Sequence, residues 1–386
     1  SQNVNGLQPS TTVMVDGEVL SRTSALSTDL VDVKRIEVLR GPQGTLYGKN
    51  ASAGIIHTIS RRPNLDGAGA EIDVFAAQDK EYRIGGFLNV PLSETTALRV
   101  NGFYKETGGY IENLYPGNPN GGEGQSSGGR AQLLIKPSDT LSILFRGDYS
   151  EKEFHSAGHV IVGMEDPTHP VISLTGARFG PDNDTTTLDP TQISKFQSWG
   201  VSTEVEKQLG DYVLTYLGYY RDWGLWENTD PDKSALRMST LQFGGPSDSK
   251  TTQHEFRLTS PQFERFDYIL GAYFYDTKED RTGSNNRCTR NPEGATLDPV
   301  TLEVIHCRRT DPPYNRVDSA TTSISVRNYA VFGNTTLRAS DRWSFILGGR
   351  FICHISFHFF WRRCQTCQVK ISAVNEHLVI CISRER

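Results

Sequence analysis

Period-two segments joined by connections that alternate between short and long constrain this 386-residue chain more than any other feature of its sequence. Residues 70–76 set Ala70, Ile72, Val74 and Ala76 against Glu71 and Asp73, and residues 82–92 set Tyr82, Ile84, Leu88 and Val90 against Arg83 and Asn89. The same alternation recurs over 97–105, 131–136, 141–150, 198–206 and 253–258, and the segments 212–223, 266–276, 325–337 and 342–351 are strand-like in composition. This predicts about eleven strands, each near the roughly 9–11 residues that a tilted membrane strand needs. Alternation alone suits a soluble sandwich equally well.

Connection length separates the two. Short turns at 91–95, 136–139, 208–211, 261–265 and 338–341 are interleaved with long connections at 106–129, 151–195, 227–250 and 277–323, and 77–81 is the one short link among the latter. In an antiparallel meander this places all five turns at one rim and the long loops at the other, an asymmetry of transmembrane β-barrels. Several structureless loops of that length count against a compact soluble domain. The mean hydropathy of −0.45 does not weigh against a membrane barrel, because alternating strands hide their apolar face from averaging. No run approaches the roughly 18–20 apolar residues of a spanning helix.

A net charge of −5 and the lack of any Lys/Arg block argue against a nucleic-acid partner. Walker, GxSxG, HExxH and dinucleotide-binding patterns are all missing, so neither catalysis nor a cofactor is expected. Asp182, Asp184 and Asp189 lack calcium-loop spacing and read as solvated carboxylates.

The segment Val33–Pro63 is a strand, a glycine-punctuated bend and a second strand. Ile36, Val38 and Leu39 pack before the bend, Ile55, Ile56 and Ile59 after it, and Gly41-Pro42, Gly44, Gly48 and Gly54 allow the tight path between. Its phrases Ile36-Glu37-Val38-Leu39-Arg40-Gly41-Pro42, Leu46-Tyr47-Gly48 and Ala53-Gly54-Ile55-Ile56 resemble the end of the plug domain of TonB-dependent outer-membrane receptors, with Ala53-Gly54 where many members carry Gly-Gly. Phrases such as Gln253–Ser260, Asp267–Tyr275, Asn328–Asn334 and Trp343–Phe351 resemble barrel strands of the same family.

The resemblance implies an all-β fold: an antiparallel transmembrane β-barrel, partial with about 11 of about 22 strands, carrying the end of an N-terminal plug. The expected division is a partial plug over 1–66, a partial barrel over 67–351 and an aberrant tail over 352–386. A chain starting Ser1-Gln2-Asn3 without signal peptide is expected to be an internal fragment lacking the transducer-binding segment. The implied function is active transport of a scarce ligand across the outer membrane of a Gram-negative bacterium, with ferric siderophore the commonest substrate class and the TonB energy transducer and membrane lipid as partners. The alternatives are a truncated, inactive receptor fragment, or a passive pore or structural barrel, which would need no plug.

Candidate residues follow. The plug motif contributes Glu37, Arg40, Gly41, Pro42, Gly44, Tyr47, Gly48 and Gly54. Glu37 or Arg40 is expected to reach a polar side chain on the inner wall, with residues 30–62 forming a small sheet on the concave side. Tyr110, Tyr115, Phe154, Trp223 and Trp226 sit at loop–strand junctions, as ligand contacts or as an interfacial girdle. Cys288 and Cys307 flank a Pro/Gly-containing stretch of the longest outer connection, where a loop-closing disulfide would contribute about 3 kcal/mol. The tail holds four of the six Cys and three of the nine His. Cys364-x-x-Cys367 with His354, His358, Cys353 or Cys381 offers zinc-type ligands but no second pair at finger spacing, and no metal site is expected.

Overall fold

A computed structural model describes residues 10–21, 31–41, 44, 51, 53–78, 80–115, 117–155, 160–163, 176, 178–188, 192–229, 239–288, 315–340, 343–362 and 368–374. The first four strands, β1 (Thr11–Val15), β2 (Glu18–Val19), β3 (Val33–Arg40) and β4 (Gly54–Ser60), form a small sheet in the order β2-β1-β4-β3. Its centre is the parallel pair β1–β4, with β3 antiparallel on the far side of β4. Met14, Val19, Ala51 and Ile55 make its buried core, with Leu39 packed against them.

The rest of the chain is one large sheet: β5 (Gly69–Ala77), β6 (Glu81–Ser93), β7 (Thr96–Asn113), β8 (Gly121–Ser138), β9 (Leu141–His155), β10 (Thr185–Thr186), β11 (Ile193–Leu209), β12 (Tyr212–Thr229), β13 (Ser239–Thr259), β14 (Phe266–Cys288), β15 (Asn315–Ser340), β16 (Trp343–Arg362) and β17 (Gln368–Val374). Every strand pairs antiparallel with the next along the chain, except that β9 pairs with β11 while the two-residue β10 lies parallel on the end of β7. Because each neighbour reverses direction, the turns at 94–95, 139–140, 210–211 and 260–265, the end of β15 and the start of β16 all fall at one rim, as connection length predicts. Eleven strands occupy residues 69–362 apart from β10, and β17 extends the path by one.

Two expectations need correction. The strands from β6 onward run 13 to 26 residues, β10 and β17 excepted. Part of each anticipated outer loop is therefore ladder: β7 and β8 leave only 114–120 between them, and β12 and β13 only 230–238, while β14 and β15 leave 289–314. Beyond the membrane both faces of a strand are wet, so period two disappears from the sequence while the backbone bonds continue. Cross-strand Thr282–Thr321 (3.1 Å) and Ser323–Asp280 hydrogen bonds mark this region. The second correction is the boundary at Phe351. β16 continues to Arg362 in unbroken register with β15, because Ile, Phe and Trp keep its β-propensity high after the family phrases end.

Burial is inverted relative to a soluble protein. Val201, Phe256, Leu270, Val331 and Phe351 stand exposed on the outer face, while Asn101, Gln132, Ser198, Thr251, Gln253 and Asn328 are buried on the inner one. An apolar exterior around a polar lumen is how a barrel meets lipid outside and polar contents inside.

Candidate functional site: the plug–wall interface

The small sheet lies against the concave face of the wall, and a two-residue turn fastens it there. Asp16-Gly17 separates the apolar runs Val13-Met14-Val15 and Val19-Leu20, and an Asp-Gly pair between strand-like residues is a short hairpin signal. Asp16 and Gly17 both take positive φ, 50° and 91°, as a primed turn requires. Gly17 has a second reason to be glycine: a Cβ there would stand 2.7 Å from the Tyr219 hydroxyl.

Wall residues read this hairpin atom by atom. Tyr219 Oη donates to the Asp16 carbonyl at 2.7 Å. The buried Gln253 amide accepts from the Val19 N–H at 3.1 Å and donates to the Val19 carbonyl at 2.6 Å, completing β2 as a neighbouring strand would. Arg221 bridges plug and wall, donating to both Glu18 oxygens at 2.6 and 2.9 Å, to both Asp148 oxygens at 2.8 and 3.0 Å, and to Ser198 at 2.9 Å. The bidentate fork is the geometry for which guanidinium is suited. Below the hairpin, Val13 and Leu20 pack with Trp223 and Leu225 in a small apolar cluster.

The Asp16 carboxylate is held by Ser60 N–H and Oγ at 2.8 and 2.6 Å, and Arg130 approaches to 3.4 Å and Arg146 to 3.9 Å. Burial pushes its pKa up, but the two guanidiniums and Ser60 outweigh that and hold it below the ordinary carboxylate value. Further fastenings are Arg99 on Asp32 (2.7 and 2.5 Å), Arg62 on Glu204 (2.5 Å), which Arg146 of the wall also holds at 2.7 Å, Gln132 on the Arg61 carbonyl (2.7 Å), and Asn89 on the backbone at Asn64 and Gly67. Between plug and wall remains a cavity of about 950 Å³, lined by Lys34, Glu37 and His57 on the plug side and Glu206, Glu255 and Arg257 on the wall side.

Glu37 faces this cavity, but its partners belong to the plug: Arg35 at 2.6 Å and His57 at 3.8 Å. The expected bridge from Glu37 to the wall is thus replaced by Asp16, Glu18, Asp32 and Arg62, because β3 sits on the edge of the plug sheet remote from β2. Arg40 is exposed at the end of β3, opposite Gly54. Gly54 needs its lack of side chain, since a Cβ would meet the Leu39 carbonyl at 2.5 Å. Gly41 and Gly44 stand in open space, and Pro42, Tyr47 and Gly48 lie outside the described residues.

The five aromatic candidates divide. Trp223, 2% exposed, is an anchor of the plug–wall core, which overturns both readings anticipated for it. Phe154 stacks on Phe196 at 5.8 Å, and Phe196 leans on Trp223 at 6.4 Å, so these rings continue that core toward the loop rim. Trp226 is half-buried opposite Lys195. Tyr110, 65% exposed, and Tyr115 stand at the loop end of β7. Cys353 is a free, exposed thiol. Cys307, Cys364, Cys367, Cys381 and the side chains of Cys288 and His358 lie outside the described residues.

A polar-lumened antiparallel wall with a small mixed sheet fastened inside it defines a plugged outer-membrane barrel. The sequence profile described as TonB-dependent Receptor Plug Domain matches residues 1–55. The pesticin receptor of Yersinia pestis is 32% identical over 137 residues, covering 34% of this chain and 19% of that protein. The catecholate siderophore receptor Fiu of Escherichia coli K12 is 32% identical over 100 residues, 25% of this chain and 12% of that one. Among solved structures, the ferric yersiniabactin uptake receptor FyuA from Yersinia pestis superposes with a TM-score of 0.73 at 18% identity, over 95% of this chain and 51% of that chain. The N-terminal 55 residues thus match the plug domain of TonB-dependent receptors, and the described chain shares the fold of the solved receptors. It spans about half the length of the solved receptor and less of the curated relatives.

The fastening residues of the hairpin escape a reading centred on the segment 33–63. Asp16-Gly17 between two short apolar runs was the available signal. Nothing local marks Gln253 or Arg221 as their partners, more than 200 residues away.

Proposed function

We propose that this chain forms the plug and wall of an energy-coupled receptor that imports a ferric siderophore, with the TonB transducer supplying the force that moves the plug. The relatives named above are receptors for pesticin and for siderophores, which supports that substrate class. The observation that carries the reading is the chemistry of the plug–wall contact. A passive pore needs no plug, whereas here the plug is held chiefly by hydrogen bonds and ion pairs around a polar cavity, with one small apolar cluster. Polar contacts exchange partners with water as they slide. A dry apolar interface would instead expose its whole area at once.

The test is uptake of radiolabelled ferric siderophores by a receptor-deficient strain expressing the full-length receptor, with and without TonB. Uptake that requires TonB is expected. Uptake that persists without TonB would indicate a passive pore, and growth on cobalamin or haem but on no siderophore would reassign the substrate.

A further inference from the structure

The cavity between plug and wall lies toward the turn rim. Glu206 and Arg257 in its lining stand three and two residues from the ends of β11 and β13. Short turns face the periplasm in barrels of this kind, so the cavity opens on the side by which a cargo would leave. Its volume of about 950 Å³ is that of a small-molecule site.

The charges around it do not cancel. Seven Lys or Arg side chains line it against five Asp or Glu, and adding Arg130 and Asp32, which complete two of the ion pairs, leaves the same excess of two. Asp16, Glu37, Glu204 and Glu255 each face a guanidinium already. Glu206 is then the one lining carboxylate without a cationic partner among the described residues, and Lys34, exposed on β3, makes no ion pair among them.

Two donors in the lining have nothing to receive them. Arg146 spends Nη2 on Glu204 at 2.7 Å, and its Nε stands 3.9 Å from Asp16, beyond hydrogen-bonding range. Neither Nε nor Nη1 has a hydrogen-bond partner, although the side chain is only 5% exposed. His57 accepts the Gly17 N–H on Nε2, so the neutral ring carries its proton on Nδ1. That Nδ1 is buried, lies 3.8 Å from Glu37 and is also without a hydrogen-bond partner. Buried donors left unpaired are costly, and a guanidinium beside a ring N–H suits carboxylate or phenolate oxygens. Both donors flank the Asp16-Gly17 turn and therefore serve one region of the cavity.

We infer that this cavity is an exit-side binding site for the cargo, selective for anionic, oxygen-rich iron chelates over neutral ones. Arg146 Nη1 and His57 Nδ1 donate to oxygens of the chelate, while Lys34 and the positive excess draw the anion in from the lumen. The inference rests on the transport reading and adds to it a station that exists while the plug is still docked.

The test uses the full-length receptor in phosphatidylcholine nanodiscs, where both rims meet solvent, with isotope-labelled methionine methyl groups followed by NMR. Met14 lines the cavity, so high-spin iron bound there broadens its methyl resonance, which is assigned by its loss in Met14→Leu. A trianionic ferric tricatecholate should broaden it, and the gallium(III) counterpart should displace the iron complex and restore the line. A neutral ferric trihydroxamate should require at least about 10-fold more complex, and Lys34→Glu should weaken the tricatecholate by about 10-fold. Arg146→Lys keeps the charge but removes the Nη1 donor, and should weaken it by about 5-fold or more. A Met14 shift unchanged from the parent before addition reports a docked plug in these variants. No broadening of Met14 by the tricatecholate, or equal broadening by the neutral complex, would overturn the proposal. TonB-dependent uptake would stand in either case, so the two readings fail separately.

Discussion

Replacing Gln253 by leucine should loosen the plug without altering its sequence. In the native interface one amide satisfies both the N–H and the C=O of Val19, and Gln253 is 2% exposed, so water has little room to take its place. Leucine keeps most of the volume but leaves two backbone groups buried without partners. Each such group costs about 1–3 kcal/mol, giving about 2–6 kcal/mol for the pair. Gln253→Ala should cost less, because the space it opens admits water to the same two atoms. The effect is local, so hydrogen exchange followed by mass spectrometry on the full-length receptor is the appropriate assay. The peptide containing Val19 should lose protection by more than about 100-fold in the leucine variant if the cost is near 3 kcal/mol, while wall peptides stay unchanged. Equal protection of Val19 in parent and Gln253→Leu would refute the claim that this side chain completes the edge of β2.

Other consequences are as direct. Trp223→Ala should destabilise the docked plug by about 3–5 kcal/mol, seen as a lowered first thermal transition, since it removes the largest ring of the shared core. Gly17→Ala forces a Cβ onto the Tyr219 hydroxyl at a position of positive φ; measured against Tyr219→Phe alone, which already lacks the bond to the Asp16 carbonyl, adding Gly17→Ala should cost only the conformational part, about 1–2 kcal/mol. His57 accepts a hydrogen bond from Gly17 N–H at 3.0 Å; burial lowers its pKa, and Glu37 and Asp16 offset this only in part. The unfolded chain therefore binds a proton that the fold resists, so docking stability is full above about pH 6.5 and falls as pH drops from there through the lower folded value. His57→Gln should flatten the stability profile in that window, and an unchanged slope would exclude His57 as its source. The depressed Asp16 gives a second, more acidic window, which Asp16→Asn should remove.

The wall was largely legible because lipid outside and polar contents inside impose period two on every spanning strand. Connection length then assigned the turn rim. What failed were the extents. Above the membrane the ladder of β14 and β15 continues through Ser284, Asn285, Ser319 and Asp318, where neither face needs to be apolar and no pattern records the pairing. The plug was legible as an element through the segment 33–63, and its position on the concave face followed from the family resemblance. Its fastenings were not. Trp223 reads as an interfacial aromatic until Val13 and Leu20 are brought against it, and Glu37 reads as a wall contact until the sheet order puts β3 away from β2. Local sequence encodes the hairpin, whereas the partners that hold it are fixed only by the path of the large sheet past it.

The separation between the hairpin and its partners also sets an order of assembly. Glu18 waits for Arg221, 203 residues later, and Val19 for Gln253, 234 residues later. Loops that long close slowly, and contacts so distant in sequence form late in folding. During synthesis and export the Thr11–Leu20 segment must therefore travel with its apolar residues and its buried-to-be Asp16 and Glu18 unclaimed until β12 and β13 are in place. A segment that emerges well before the wall is among the last to find its seat, so periplasmic holding chaperones should meet this hairpin exposed, and a slow wall should lengthen that exposure in proportion.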